Sequence, residues 1–173
     1  MKNKIGTIGT IGTRYCLIQA ITAKSVAQSW DEAKREWDLM EIYFCEEGFA
    51  ETCICGHYPI KECCVLDNKL NRNTVIVGNV CVKRFIGINT PLIFDAVKRV
   101  AADRGKALNY EALEYMYKKG WVNEWEFKFY QDTWRKRVLT SKQLTTRKNI
   151  NTKVLVKIFV KEQKGENEKS KTD

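Results

Sequence analysis

Five candidate ligands for a metal ion, Cys53, Cys55, His57, Cys64 and Cys81, fall between positions 53 and 81. Cys53 and Cys55 flank Ile54, and His57 follows Gly56. Cys64 is half of the pair Cys63-Cys64, and Cys81 ends the run Gly78-Asn79-Val80-Cys81. Thiolate and imidazole are donors that suit tetrahedral zinc, and a structural zinc takes four of them. Two donors this close in sequence fit one tight turn, and Gly56 can adopt the positive φ that such a knuckle needs. The remaining donors must come from elements that fold back over it. A hairpin followed by the first turn of a helix does this, and a helix N-terminus favours thiolate at Cys81. The expected set is Cys81, Cys64 and two of Cys53, Cys55 and His57. Neighbours on an extended strand face opposite ways, so only one of Cys63 and Cys64 is expected to reach the metal. The bound ion is expected to be Zn2+, supplying folding energy to a region with little core of its own.

Other chemistries are poorly served. An odd count of seven cysteines, clustered rather than dispersed, does not suit a disulfide framework. The C-x-x-C of a thioredoxin-like dithiol is absent. With one histidine in the chain, histidine-rich metal hydrolases are excluded, and any Ser-His or Cys-His pair must use His57. His57 is followed by Tyr58-Pro59, so the H-x-E signature of zinc deaminases is missing. Glu126-Phe127-Lys128 has the E-x-K pattern of some nucleases but falls in a helical stretch, where it reads as a solvated face. No catalytic residue is assigned.

The string C-x-C-G-H-x-x-I, an Asn-containing turn, then V-G-N-x-C-V-x-R-F, spans residues 53–85. It resembles a small zinc module of uncharacterised phage and mobile-element proteins. Its layout is similar to that of treble-clef zinc fingers: knuckle, hairpin, ligand-bearing helix. A treble clef takes two ligands from its final helix, whereas this helix offers Cys81 alone. The resemblance implies zinc binding and, more loosely, the handling of nucleic acid. The stretch Leu139 to Gln143 after a Lys-Arg pair is similar to a helix start of phage-type DNA-processing proteins.

The elements that must position these residues can be read around them. The chain has 173 residues, 44% hydrophobic and 11% aromatic, enough for one domain or a domain with an appended module. Residues 5–13 repeat Ile-Gly-Thr three times and read as a flexible or edge-strand leader, and Tyr15–Ile21 as a short strand with Cys16 buried. Ser29 and Glu32 form a capping box, and Trp30, Ala33, Trp37, Met40 and Phe44 recur at spacings of three and four, predicting a helix that ends at Cys45. Lys61–Leu66 and Thr74–Val77 read as two strands about an Asn-rich turn, followed by a short helix that carries Cys81. Helices are then predicted from Thr90-Pro91, from Asn109 to Gly120, from Asn123 with Glu126, and from Thr140 with Gln143. The expected class is α+β, a zinc-stapled β-hairpin module with a mainly helical C-terminal bundle. The expected divisions are a strand-helix unit at 1–49, the zinc module at 50–89, a basic helical region at 90–164 and a disordered tail at 165–173.

The net charge is +9, and it is local. Residues 127–157 hold Lys128, Arg135, Lys136, Arg137, Lys142, Arg147, Lys148, Lys153 and Lys157 against Asp132 alone. A surface of that kind suits phosphates. Candidate contacts are Lys69 and Arg72 on the hairpin turn, Lys83 and Arg84 beside Cys81, and Arg135, Lys136, Arg137 and Lys148. Trp125, Tyr130 and Trp134 are interleaved with the patch and could stack bases. No stretch approaches the roughly 20 apolar residues of a membrane span. The N-terminus lacks the apolar region of a signal peptide, so a cytoplasmic protein is expected. The expected function is a zinc-dependent nucleic-acid-binding accessory protein of phage or mobile-element type, with DNA or RNA as partner. Two alternatives stay open: a phage-encoded inhibitor that binds a host defence complex, and a nuclease-like DNA-processing enzyme.

Overall fold

Short apolar runs within Glu62–Asn68 (β2) and Thr74–Gly78 (β3) pair as an antiparallel hairpin, with Cys63 opposite Gly78 and Cys64 opposite Val77. The computed structural model describes residues 9–159. It is an α+β protein, with seven α-helices and one three-stranded sheet of order β1-β2-β3 among the described residues. It divides into two compact units between Ile88 and Asn89.

The first unit departs from expectation at its start. Residues 9–24 are a helix, α1 (Gly9–Lys24), not a leader and a strand. Leu17 and Ile21 lie one helical turn apart and are both buried, which places Cys16 on the exposed side. Residues 5–8 lie outside the described residues. The predicted long helix from Trp30 is also overturned. Helix α2 is only Trp30–Ala33, a 3-10 turn covers Lys34–Glu36, and Trp37–Phe44 is strand β1. Ser29 makes no side-chain cap; its hydroxyl donates to Glu32 instead (2.8 Å).

The cause is a β-bulge. Leu39 pairs with Leu66 and Glu41 with Val65, leaving Met40 as the extra residue. The bulge switches the inward parity from Trp37 to Ile42, so a strand acquires apolar spacings that imitate a helix. The inner face of the sheet carries Trp37, Ile42, Cys64, Leu66 and Val77, all buried. After β3 the chain enters α3 (Asn79–Ile86), where Phe85 packs its ring on those of Trp30 and Trp37 at 5.2 and 6.3 Å.

Glu36 pins this unit. Its carboxylate is buried and accepts from the Val26 and Ala27 amides (2.8 and 2.7 Å) and from Asn68 Nδ2 (2.7 Å). Asn68 Oδ1 in turn accepts from the Leu70 amide at the head of the hairpin turn.

The second unit is helical: α4 (Thr90–Ala102), α5 (Tyr110–Lys118), α6 (Glu124–Thr133) and α7 (Ser141–Phe159). Its start signals were legible. Asn109 caps α5, Asn123 and Glu126 form a reciprocal capping box on α6, and Thr140 and Gln143 exchange bonds at α7. Thr90 is the first residue of α4, one position later than a cap. Gly120, at φ 68°, closes the turn after α5. In the core, Asn151 is fully buried; its amide donates to the carbonyls of Arg104 (2.7 Å) and Lys106 (2.8 Å), and its oxygen accepts from Tyr130. The tail at 165–173 lies outside the described residues.

Two outcomes follow. Asn151→Ala leaves two carbonyls and a buried hydroxyl without partners, and is expected to cost on the order of 2–4 kcal/mol in denaturant unfolding. For Glu36, burial raises the carboxyl pKa, but the bonds from Asn68, Val26 and Ala27 outweigh it and hold the value below the ordinary 4.5. A lowered folded pKa gives stability that is full above pH 4.5 and is lost as pH falls through the folded value. Glu36→Gln should therefore melt earlier than the parent at neutral pH, and the two melting curves should converge in acid. A gap that stays constant with pH would show that the charge does not matter.

Candidate metal centre

Tight backbone bonds build the knuckle first. The Cys53 amide donates to the His57 carbonyl (2.9 Å) and the Gly56 amide to the Cys53 carbonyl (2.7 Å). Gly56 sits at φ 85°, the conformation expected of it. The Ile54 amide reaches the Ile76 carbonyl (3.0 Å), which ties the knuckle to β3. Gly78 makes the close approach possible: a Cβ there would stand 3.2 Å from Ile60 Cγ2, and its amide donates to Cys53 Sγ at 3.3 Å. One step later, Cys81 enters in the first turn of α3.

The result is a buried group of three thiols, Cys53, Cys55 and Cys81, whose sulfur atoms all lie within 4.8 Å of one another and could hold a metal ion. Cys55 Sγ is 3.9 Å from Cys81 Sγ. A hydrogen bond from Cys81 pulls the Cys53 thiol down to about 5, with amide bonds from Cys55 and Gly78 assisting. Cys81 is pushed up, first by donating to Cys53 and then by burial, and burial raises Cys55. One thiolate thus forms readily and opposes the others. At an effective dielectric near 20, each added pair of charges at this separation costs roughly 3–4 kcal/mol. A cation bound by all three removes that repulsion, and soft sulfur donors suit a transition-metal ion. The donor set fits a metal.

Of the five candidates, the structure brings together three. His57 is exposed and its ring stands outside the group, although it lines the same cavity of roughly 770 Å³ as Cys53 and Cys81. Cys64, preferred alongside Cys81 on sequence grounds, is not brought to the group either. It lies on the inner face of the sheet, opposite Ile42 and Val77. Glu62 and Asn79 line the cavity and are hydrogen-bonded to each other, and Arg84 flanks them.

The basic candidates separate by partner. On the hairpin turn Lys69 faces Asp38 (3.6 Å) and Arg72 faces Asp67 (3.5 Å), so both cations already have acids. Lys83 and Arg84 are exposed on α3. In the second unit, Arg135, Lys136, Arg137 and Lys148 are exposed, whereas Arg147 turns inward and donates to the Thr133 carbonyl (2.6 Å). Tyr130 is buried and cannot stack on a ligand; Trp125 is exposed, and Arg135 lies 4.5 Å over the Trp134 ring. Glu126 of the E-x-K pattern bonds to the start of its own helix and to Lys153 (2.6 Å). Sequence reasoning missed one feature, a contact of 3.5 Å between Cys45 Sγ and Cys63 Sγ. Burial, then Cys45, pushes the Cys63 thiol up to about 12.

Among the described residues no helix is long and apolar enough to cross a membrane. No protein-family model, curated protein or solved structure matches the chain.

Cobalt(II) reads the centre directly. Added to the reduced protein, it should produce thiolate-to-metal charge-transfer absorption that saturates near about one ion per chain. Cys81→Ala should abolish most of that band, and Cys16→Ala, on the exposed side of α1, should leave it intact. Identical spectra from the two variants would remove Cys81 from the site.

Proposed function

We propose that this chain is a zinc-stapled nucleic-acid-binding protein, an accessory factor of the phage or mobile-element type that its zinc module resembles. Zinc held by Cys53, Cys55 and Cys81 would fasten the knuckle to the hairpin and to α3. Its binding energy would then be folding energy for this part of the first unit. The role proposed for the metal is structural: with a fourth donor completing its shell, it would fix the surface that carries Lys83 and Arg84.

The observation that carries the nucleic-acid reading lies between α6 and α7. Arg135, Lys136 and Arg137 are consecutive and exposed, and among the described residues no carboxylate pairs with any of them. Several other cations of the same unit are matched: Lys98 with Asp95, Lys118 with Glu114, Lys128 with Glu124 and Lys153 with Glu126. Consecutive charge left open in this way is available to phosphates. Lys142 and Lys148 extend it along α7. The Arg135–Trp134 stack adds a flat surface of the sort on which a base can lie.

Reversing Arg135, Lys136 and Arg137 to Glu is expected to weaken oligonucleotide binding at low salt by at least tenfold. It should also reduce the slope of log affinity against log salt by about 2–3, at roughly 0.9 per lost phosphate contact on duplex. Fluorescence anisotropy across a salt series checks this, with circular dichroism as the control for folding. An unchanged slope would mean that the patch does not meet phosphate.

A further inference from the structure

We propose that Cys45 and Cys63 are a redox-active dithiol, which closes to a disulfide under a hydroperoxide independently of the three thiols at the metal centre. Cys45 is the first residue beyond β1, and its amide continues the ladder by donating to the Lys61 carbonyl (2.9 Å). Cys63 lies on β2 opposite Tyr43, two residues before Cys45, so the two cysteines are diagonal neighbours on one face of the sheet. Their sulfurs are already in contact at 3.5 Å. A disulfide needs about 2.05 Å, so closure asks for an approach of about 1.5 Å. Cys45, at a strand end rather than inside one, can supply that movement.

The two thiols differ in access, and that assigns their roles. Cys63 is fully buried and Cys45 half-buried. A hydroperoxide therefore meets Cys45 first. The Cys45 sulfur attacks one peroxide oxygen, the O–O bond breaks, Cys45 becomes the sulfenic acid, and the second oxygen of hydrogen peroxide leaves as water with the thiol proton of Cys45. The Cys63 sulfur then attacks the Cys45 sulfur. The S–S bond forms, the S–OH bond breaks, and the hydroxyl leaves as a second water with the proton of Cys63. Two thiols lose two electrons and one peroxide gains them. Burial keeps Cys63 protonated until that moment, which suits a resolving thiol better than an attacking one.

The pair also has a short link to the metal centre. Cys63 is opposite Gly78 in the sheet, and the Gly78 amide donates to Cys53 Sγ. The disulfide would fasten β1 to β2 beside the strand on which the knuckle rests.

The test uses the full chain loaded with Zn2+, carrying Cys16→Ser to remove the exposed thiol of α1. Stepwise hydrogen peroxide, alkylation under denaturing and chelating conditions, and peptide mass mapping follow. The first two thiols consumed are expected in a Cys45–Cys63-linked peptide, two hydrogens lighter than the sum of its parts. Cys53, Cys55 and Cys81 should still alkylate, and a reductant should restore both lost thiols. Adding Cys45→Ser should eliminate the linked peptide while metal content stays the same. Cys45 and Cys63 both still alkylating after two thiols are consumed, or Cys45 linked to another cysteine, would overturn the proposal.

Discussion

Three sulfur atoms within 4.8 Å of one another cannot all carry charge unless a cation joins them, and the first unit is arranged to impose that crowding. Every element near the site contributes to it. The knuckle at Gly56 turns Cys53 and Cys55 inward, and the Ile54–Ile76 bond anchors it to β3. Gly78, lacking a Cβ, allows Ile60 to close over the strand end. Without a cation the trio is frustrated: one thiolate forms easily and makes the others harder to ionise. A polypeptide can hold such an arrangement only if the hairpin and α3 are fixed by other means. Here those means are the inner face of the sheet and the Phe85 stack.

Glu36 solves a related problem with the opposite sign. A buried carboxylate is unfavourable unless hydrogen bonds replace water, and three donors reach this one. Those donors come from the segment after α1 and from the end of β2, so one side chain ties together pieces far apart in sequence. In the second unit Asn151 does comparable work without charge, holding the loop that follows α4 against α7. Each unit thus holds a buried polar side chain whose hydrogen bonds join segments that are distant in sequence.

The helical unit was largely legible in the sequence because its signals are local. Asn123 with Glu126, and Thr140 with Gln143, announce helix starts within four residues, and the structure contains both. The hairpin was legible for the same reason. Residues 30–44 misled because a bulge at Met40 is a two-strand property. It shifts the buried parity by one, and Trp37 and Phe44 then fall at a spacing that a helix would also give. In α1, Leu17 and Ile21 already had helical spacing, but the Ile-Gly-Thr run and the short apolar stretch obscured it. The metal candidates were found by type and spacing. Which of them converge was not readable, because that depends on which face each residue takes once β2 has paired on both sides.

The same dependence sorts the seven cysteines. Cys16 and Cys64 are identical side chains, but one lies on the exposed side of a helix and the other on the inner face of a sheet. Cys63 and Cys64 are adjacent, yet alternation along β2 sends one towards Cys45 and the other towards Ile42 and Val77. The residue that separates them from the trio is Gly78: it stands opposite Cys63 across the sheet and delivers its amide to Cys53. A Cβ at that position would stand 3.2 Å from Ile60 Cγ2, so that side chain would have to give way slightly. Strand register, more than the number of thiols, therefore sorts the sulfurs that converge on one point from those that meet only each other.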